Sequence, residues 1–172
     1  WSKYTEGLIN PHESSVTAVE FKEAVTYLAD NVFNGCDQLT SITIPESVES
    51  IGHGAFYLCR SLENITIPDG VISIGAGAFE KCEKLTSIAI PDGVTEIYSC
   101  AFQGCTGLTS IVIPDSVTSI WEMTFVDCSN LTEITIPGSV RSIEMGAFSE
   151  CSSLTEVTIP DSVTSIGAAA FT

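Results

Sequence analysis

Apolar residues along this chain fall into columns with a fixed step. Phe33, Phe56, Phe79, Phe102, Phe125, Phe148 and Phe171 are 23 residues apart without a slip. Cys36, Cys59, Cys82, Cys105, Cys128 and Cys151 keep the same step, as do Leu39, Leu62, Leu85, Leu108, Leu131 and Leu154. Isoleucine precedes each of Pro45, Pro68, Pro91, Pro114, Pro137 and Pro160, and valine stands three residues after each. A period of this length marks a solenoid or array, because each unit has an apolar face that its neighbour must cover. The chain is therefore expected to stack like coils on one another, so that equivalent side chains form continuous internal rows.

Within a unit, the polar pattern divides the coil. Leu108-Thr109-Ser110-Ile111-Val112-Ile113 comes to alternate over its second half, the sign of a strand with one buried face. Pro114 ends it for lack of a ladder donor. Asp115-Ser116, or Asp-Gly at Asp69-Gly70 and Asp92-Gly93, is turn chemistry. Val117-Thr118-Ser119-Ile120 predicts a second, shorter extended piece. Ala101, Phe102, Cys105 and Leu108 space apolar residues by about three, which predicts a single helical or 3-10 turn on the opposite side. The resulting fold class is an α/β solenoid: an arc of parallel strands with short helical or 3-10 turns opposite, built on a 23-residue repeat. At about 4.8 Å per strand, the coils would form a rod or arc roughly 30 Å long.

The ends depart from the period. Residues 1–15 do not follow it and read as a non-repeat N-terminal segment. Val16, Val19, Phe21, Val25 and Leu28 fall on the apolar columns of a degenerate first unit, which opens the solenoid expected over 16–172. The sequence closes at Phe171-Thr172, in mid-unit, so further repeats or domains of the same chain are expected.

Composition then narrows the partners. Six Lys+Arg against 22 Asp+Glu give a net charge of −16, which repels nucleic acid and anionic lipid surfaces. The chain has no long unbroken apolar run, so no membrane insertion is expected of this segment. It opens at Trp1 with neither a basic n-region nor an apolar h-region.

Units such as Ile113-Pro114-Asp115-Ser116-Val117-Thr118-Ser119-Ile120, with Gly75 to Ile88 as Gly-x-x-Ala-Phe-x-x-Cys-x-x-Leu-Thr-Ser-Ile, closely resemble the BspA-like class of leucine-rich repeats. The resemblance covers residues 16–172. It implies a leucine-rich repeat module of a cell-surface or secreted protein of bacteria or some protists, concerned with adhesion or recognition of a host or extracellular-matrix protein, and no enzymatic activity or cofactor in this segment. A structural spacer in a larger surface protein is the alternative. The departures from the pattern lie in the N-terminal unit and around residues 98 to 126, where the consensus glycine is replaced by Tyr98 and Trp121.

Four groups of residues compete as sites. Tyr98 and Trp121 share a column held by Gly52, Gly75 and Gly167 elsewhere, with Met123, Val126 and Met145 close in register. Exposed aromatic and methionine clusters mark interaction surfaces, and covering a locally wider core is the competing reading. The outward strand positions form the second group: Ser41 and Thr43, Asn64 and Thr66, Ser87, Ser110, Glu133 and Thr135, Glu156 and Thr158. That face is small and hydroxyl-rich, whereas binding hot spots favour Trp, Tyr and Arg, so a solvated face of good strand formers is the stronger reading there. Its threonines are also similar to ice-binding ladders, which Ala89 and Val112 interrupt. The acidic column Glu46, Asp69, Asp92, Asp115 and Asp161 reads as turn chemistry ahead of calcium binding, since no EF-hand loop or glycine-rich calcium repeat is present.

The cysteines form the fourth group. Six thiols on a line lack the spacing of a tetrahedral metal site, so no metal ligand is assigned and buried, reduced core cysteines are expected. Cys100 stands where other units have Gly54, Gly77 and Gly146, and is the candidate reactive thiol beside its plainer reading as a small filler. Catalysis finds no support: His12 and His53 are the two histidines, and no nucleophile-elbow, P-loop or zincin string occurs. Asn64-Ile65-Thr66 and Asn130-Leu131-Thr132 are glycosylation sequons.

Overall fold

Two extended pieces separated by a proline turn form in most units, and most pair with their counterparts 23 residues away. The computed structural model describes residues 15–22 and 24–172. The expected N-terminal segment 1–15 lies outside the described residues except for Ser15. Strands β1 (Tyr27–Leu28), β3 (Ser50–Ile51), β5 (Ser73–Ile74) and β7 (Glu96–Ile97) make one parallel ladder, continued by β9 (Ser119–Ile120), β11 (Ser142–Ile143) and β12 (Ser165–Ile166). On the other face, β2 (Ser41–Thr43) pairs with β4 (Asn64–Thr66), and β6 (Ser87–Ala89) with β8 (Ser110–Val112) and then β10 (Glu133–Thr135). Registers are unshifted: Ile42 opposes Ile65, Ile88 opposes Ile111, and Ile74 opposes Ile97. Proline closes each longer strand, and in the turn the hydroxyls of Ser47 and Ser139 donate to the carbonyls of Val25 and Val117 of the preceding coil at 2.7 Å.

The third side of the coil corrects the expectation of helical turns. No helix occurs among the described residues. Around Phe56, the N–H groups of Gly54, Phe56 and Leu58 donate to the carbonyls of Ala76, Ala78 and Glu80 in the next coil at 2.9, 2.7 and 2.9 Å. The residues between them turn back locally: Ala55 and Tyr57 donate to Gly52 and Gly54 at 3.3 and 3.0 Å. Every second donor is thus committed to the neighbouring coil, so local bonds never run consecutively and no 3-10 helix propagates. Left-handed backbone at both ends of the arc, for example Gly54 at φ 58° and Leu58 at φ 61°, keeps it from winding into a helix. This arc ladder repeats at Phe33, Phe79, Phe102, Phe125 and Phe148. The molecule is a parallel β-solenoid with three hydrogen-bonded sides.

The core is a set of side-chain rows. Neighbouring phenylalanine rings from Phe33 to Phe171 stack with centroids 5.2–5.5 Å apart and planes within 22° of parallel. Leucine, valine and cysteine rows flank them, fully buried in the central coils. Val16 and Leu28 join this core, and Val19, Phe21 and Val25 pack against it, so the degenerate first unit does cover the stack.

Two irregularities bear on function. The second-face ladder opens between β7 and β9. The amide of Tyr98 donates to Ile74 and that of Thr95 to Ile72, both at 3.0 Å, and Glu144 and Arg141 bond Ile120 and Thr118 at 2.8 Å. The equivalent bonds from Trp121 to Ile97 and from Thr118 to Thr95 do not form. The first-face ladder is interrupted between β4 and β6, and residues 156–158 form no strand against β10. In that last coil the Ser162 hydroxyl is buried without a partner, although Ser47, Ser116 and Ser139 all find one.

Candidate protein-binding face

The second ladder opens beside a column of glycines. A Cβ built on Gly75 would lie 2.6 Å from the carbonyl carbon of Gly52 and the amide nitrogen of His53, and one on Gly167 would lie 2.4 Å from the Met145 amide. A side chain at Gly75 or Gly167 would therefore meet the backbone of the preceding coil. Tyr98 and Trp121 fill this column on successive coils, and the missing bonds lie between those two coils. Glu144 also takes the column, with its own ladder bond intact. The two missing bonds, each worth about 1 kcal/mol, fall at the step of this ladder where one ring follows another.

The rings end up at the surface. Tyr98, Trp121, Met123 and Met145 retain 38, 37, 38 and 43% of their exposure. Tyr98 and Trp121 lie with centroids 6.1 Å apart and planes at 34°. His53 approaches Tyr98 at 6.2 Å from two coils below, across Gly75 and Ala76. The histidine is fixed by the Ala76 amide, which donates to its Nδ1 at 2.9 Å. Met123 also reaches the next coil: its side chain lies over Gly146, 3.5 Å from where a Cβ would stand.

Two neighbouring columns also carry non-consensus residues on these coils. Cys100 and Met123 hold φ of 61° and 55°, as Asn31 and Ala169 do at 56° and 55° in the outer coils, in the column where Gly54, Gly77 and Gly146 meet this demand at no steric cost. Thr124 replaces the alanine of Ala55, Ala78, Ala101 and Ala147, and its buried hydroxyl donates to the Trp121 carbonyl at 2.7 Å. Sequence reasoning missed Thr124 and His53. The break in the alanine column was the available signal for Thr124; His53 had none, because its reach depends on two small residues in the coil above.

The strand face is a different surface. Ser41, Thr43, Asn64, Thr66, Ser87, Ser110, Glu133 and Thr135 are all exposed and aligned by the registers Ser41 to Asn64, Thr43 to Thr66, and Glu133 to Ser110. Val112, 71% exposed, sits between Ala89 and Thr135. Glu156 and Thr158 are exposed but stand in no strand, so the last coil does not extend this face as expected. No aromatic ring interrupts the hydroxyl rows.

None of the seven cysteines forms a disulfide. The thiols of Cys59, Cys82, Cys105, Cys128 and Cys151 donate to the phenylalanine carbonyls of the preceding coil at 3.1–3.3 Å. Burial pushes Cys59 and Cys105 up to about 12 and Cys82 well above its usual value. Cys100 is raised as well, by burial and then by the charges of Glu80 and Glu122, which opposes its reading as a reactive thiol. Cys128 is held up by its contact with Cys151 and by burial, and the same contact lowers Cys151. No group of three His, Cys, Asp or Glu converges as a metal site among the described residues, and Glu46, Asp69, Asp92, Asp115 and Asp161 stand exposed along their turns.

The repeat is shared with known proteins. The profile of the BspA type leucine rich repeat region matches in six copies over residues 12–70 and 49–172. The chain belongs to this family. A T. pallidum leucine rich repeat protein is 34% identical with a TM-score of 0.82, over 88% of this chain and 73% of that one. A leucine rich cell surface protein of Faecalibacterium prausnitzii is 43% identical with a TM-score of 0.79, over 86% of this chain and 40% of that one. A Bacteroides ovatus leucine-rich repeat protein is 29% identical with a TM-score of 0.73, over 87% and 45%. The BspA-type chain thus spans less than half of two of these relatives. No curated protein matches it.

Proposed function

We propose that this BspA-type segment is a protein-binding module of a cell-surface or secreted protein and that it binds through the corner carrying Tyr98, Trp121, Met123 and Met145. The observation that carries this reading is the concentration of costly departures on two coils. Rings occupy a column that Gly52, Gly75 and Gly167 hold in other coils, and two ladder bonds are absent between them. Local rules broken together, with the side chains left in solvent, mark functional surfaces. Trp and Tyr are also the residues that dominate binding energy. The surface location is supported by the F. prausnitzii relative, a leucine rich cell surface protein.

A second reading, a rigid spacer without a binding role, is favoured by the unbroken phenylalanine stack and arc ladder. Pull-down against extracellular-matrix and cell-surface proteins separates the two. The binding reading expects a saturable partner whose affinity drops about tenfold or more in Trp121→Ala. Weak, salt-sensitive background that is indifferent to the substitution supports the spacer.

A further inference from the structure

The corner that holds the aromatic rings is made of three neighbouring columns, and their chemistry is one-sided. Residues 98–100, 121–123 and 144–146 read Tyr-Ser-Cys, Trp-Glu-Met and Glu-Met-Gly, and the flanking coils place Gly-His-Gly, Gly-Ala-Gly and Gly-Ala-Ala there. From residue 52 to residue 169, no lysine or arginine occupies any of these positions. Glu122 is exposed beside Trp121, Glu144 is half-buried in the same column as the rings one coil on, and Glu96 precedes Tyr98 by two residues on β7. Glu80 and Glu122 both lie near enough to Cys100 to raise its thiol. Arg141, the nearest cation in sequence to Glu144, directs its guanidinium to the Gly138 carbonyl at 3.2 Å. The corner therefore presents two partly exposed, mutually tilted rings beside the carboxylates of Glu122 and Glu144, while Glu80 feels the cation of Lys81.

Resting on the binding role proposed above, we infer that the Tyr98–Trp121 corner takes a basic segment of a partner protein, seating an arginine or lysine side chain against the ring faces with Glu122 and Glu144 beside it. A ring face attracts a cation through its quadrupole, and guanidinium groups also stack flat on aromatic rings. The carboxylates add a charge pair, and the net charge of −16 draws a basic partner in from a distance. The methionines Met123 and Met145 give the stem of such a side chain a deformable apolar bed. A neutral ligand would gain from the rings but not from the acids, and an acidic one would be repelled.

The test uses the Trp1→Phe protein, so that Trp121 is the reporting indole, titrated at low salt with a Gly/Ser peptide bearing three arginines and with its citrulline counterpart, which has the same shape without the charge. The inference expects saturable quenching of Trp121 by the arginine peptide and binding weaker by about fivefold or more for the citrulline peptide. It also expects loss of affinity in Glu122→Gln/Glu144→Gln and, by calorimetry, in Tyr98→Leu and Trp121→Leu, with thermal melting confirming the fold of each. Equal binding of the two peptides overturns it, as does arginine binding that survives Tyr98→Leu and Trp121→Leu, which would be attraction to net charge alone. Quenching by a neutral oligosaccharide with none by the arginine peptide overturns it in favour of glycan stacking. If the peptides fail but Trp121→Ala still weakens a pulled-down protein, the cationic partner is wrong and the binding corner stands. If that substitution changes no partner either, both fall.

Discussion

Cys100 and Met123 give the sharpest predictions at the scale of single residues, because their backbone conformation is set by the stack and not by their own preference. Each stands at a φ near 60° that an L side chain adopts at a cost of roughly 1 kcal/mol. Cys100→Gly should therefore raise stability by about 0.5–1 kcal/mol in chemical denaturation, against the usual penalty for a new glycine; a loss of stability would show that the side chain packs for its keep. Gly75→Ala should do the opposite, since its Cβ meets backbone at 2.6 Å, and a protein that melts unchanged would contradict the closed column. The thiol rows predict alkaline behaviour. An unfolded thiol ionises near 9.0, whereas Cys59 and Cys105 stay protonated up to about 12, so the contribution of these thiols is level below pH 9 and stability falls as pH rises from 9 toward 12. Cys59→Ala/Cys105→Ala should lower stability at pH 8 yet flatten this fall in urea midpoints taken from pH 8 to 11, and an unchanged slope would remove the thiols as its cause. Reading residues in the sequence worked where a column was broken by a conspicuous type, as at Tyr98 and Trp121. The left-handed backbone of Cys100 and Met123 was harder to read, because glycine marks that column at Gly54, Gly77 and Gly146 whereas Asn31 and Ala169 meet the same demand without it.

At the scale of elements, the two strands of the central units were legible because alternation, proline and turn residues recur at the same places, and the same pattern at 156–158 forms no strand in the last coil. The third side was not legible. Apolar spacing of three suits a helical turn and an arc equally well, and the difference lies in where the intervening N–H groups point. In the arc they point along the stack, at the Ala76, Ala78 and Glu80 carbonyls in the case of Gly54, Phe56 and Leu58. The arc is consequently an inter-coil element whose stability is not local. Phe102→Ala should cost about 3–5 kcal/mol and loosen both neighbouring coils, because it removes a buried ring stacked on Phe79 and Phe125. Exchange protection lost at Phe79 and Phe125 as well as at residue 102 would confirm this coupling, and damage confined to a single coil would contradict it.

Taken as a whole molecule, the protein is a one-dimensional stack in which each coil touches its neighbours, so removing whole 23-residue units should lower stability in steps. Complete unfolding on loss of one terminal coil would be inconsistent with that arrangement. Its regularity is what gives the Tyr98–Trp121 level its meaning: the arc ladder and the phenylalanine stack run through it unchanged, while the second-face ladder opens there. Native-state amide exchange read residue by residue tests this most directly. The amides of Phe56, Phe79, Phe102 and Phe125 should be among the slowest, Tyr98 and Glu144 protected, and Thr118 and Trp121 faster than their counterparts by about tenfold or more. Equal protection of Trp121, Tyr98 and Glu144 would mean that the rings are accommodated without opening the stack, and the argument for a functional corner would lose its foundation.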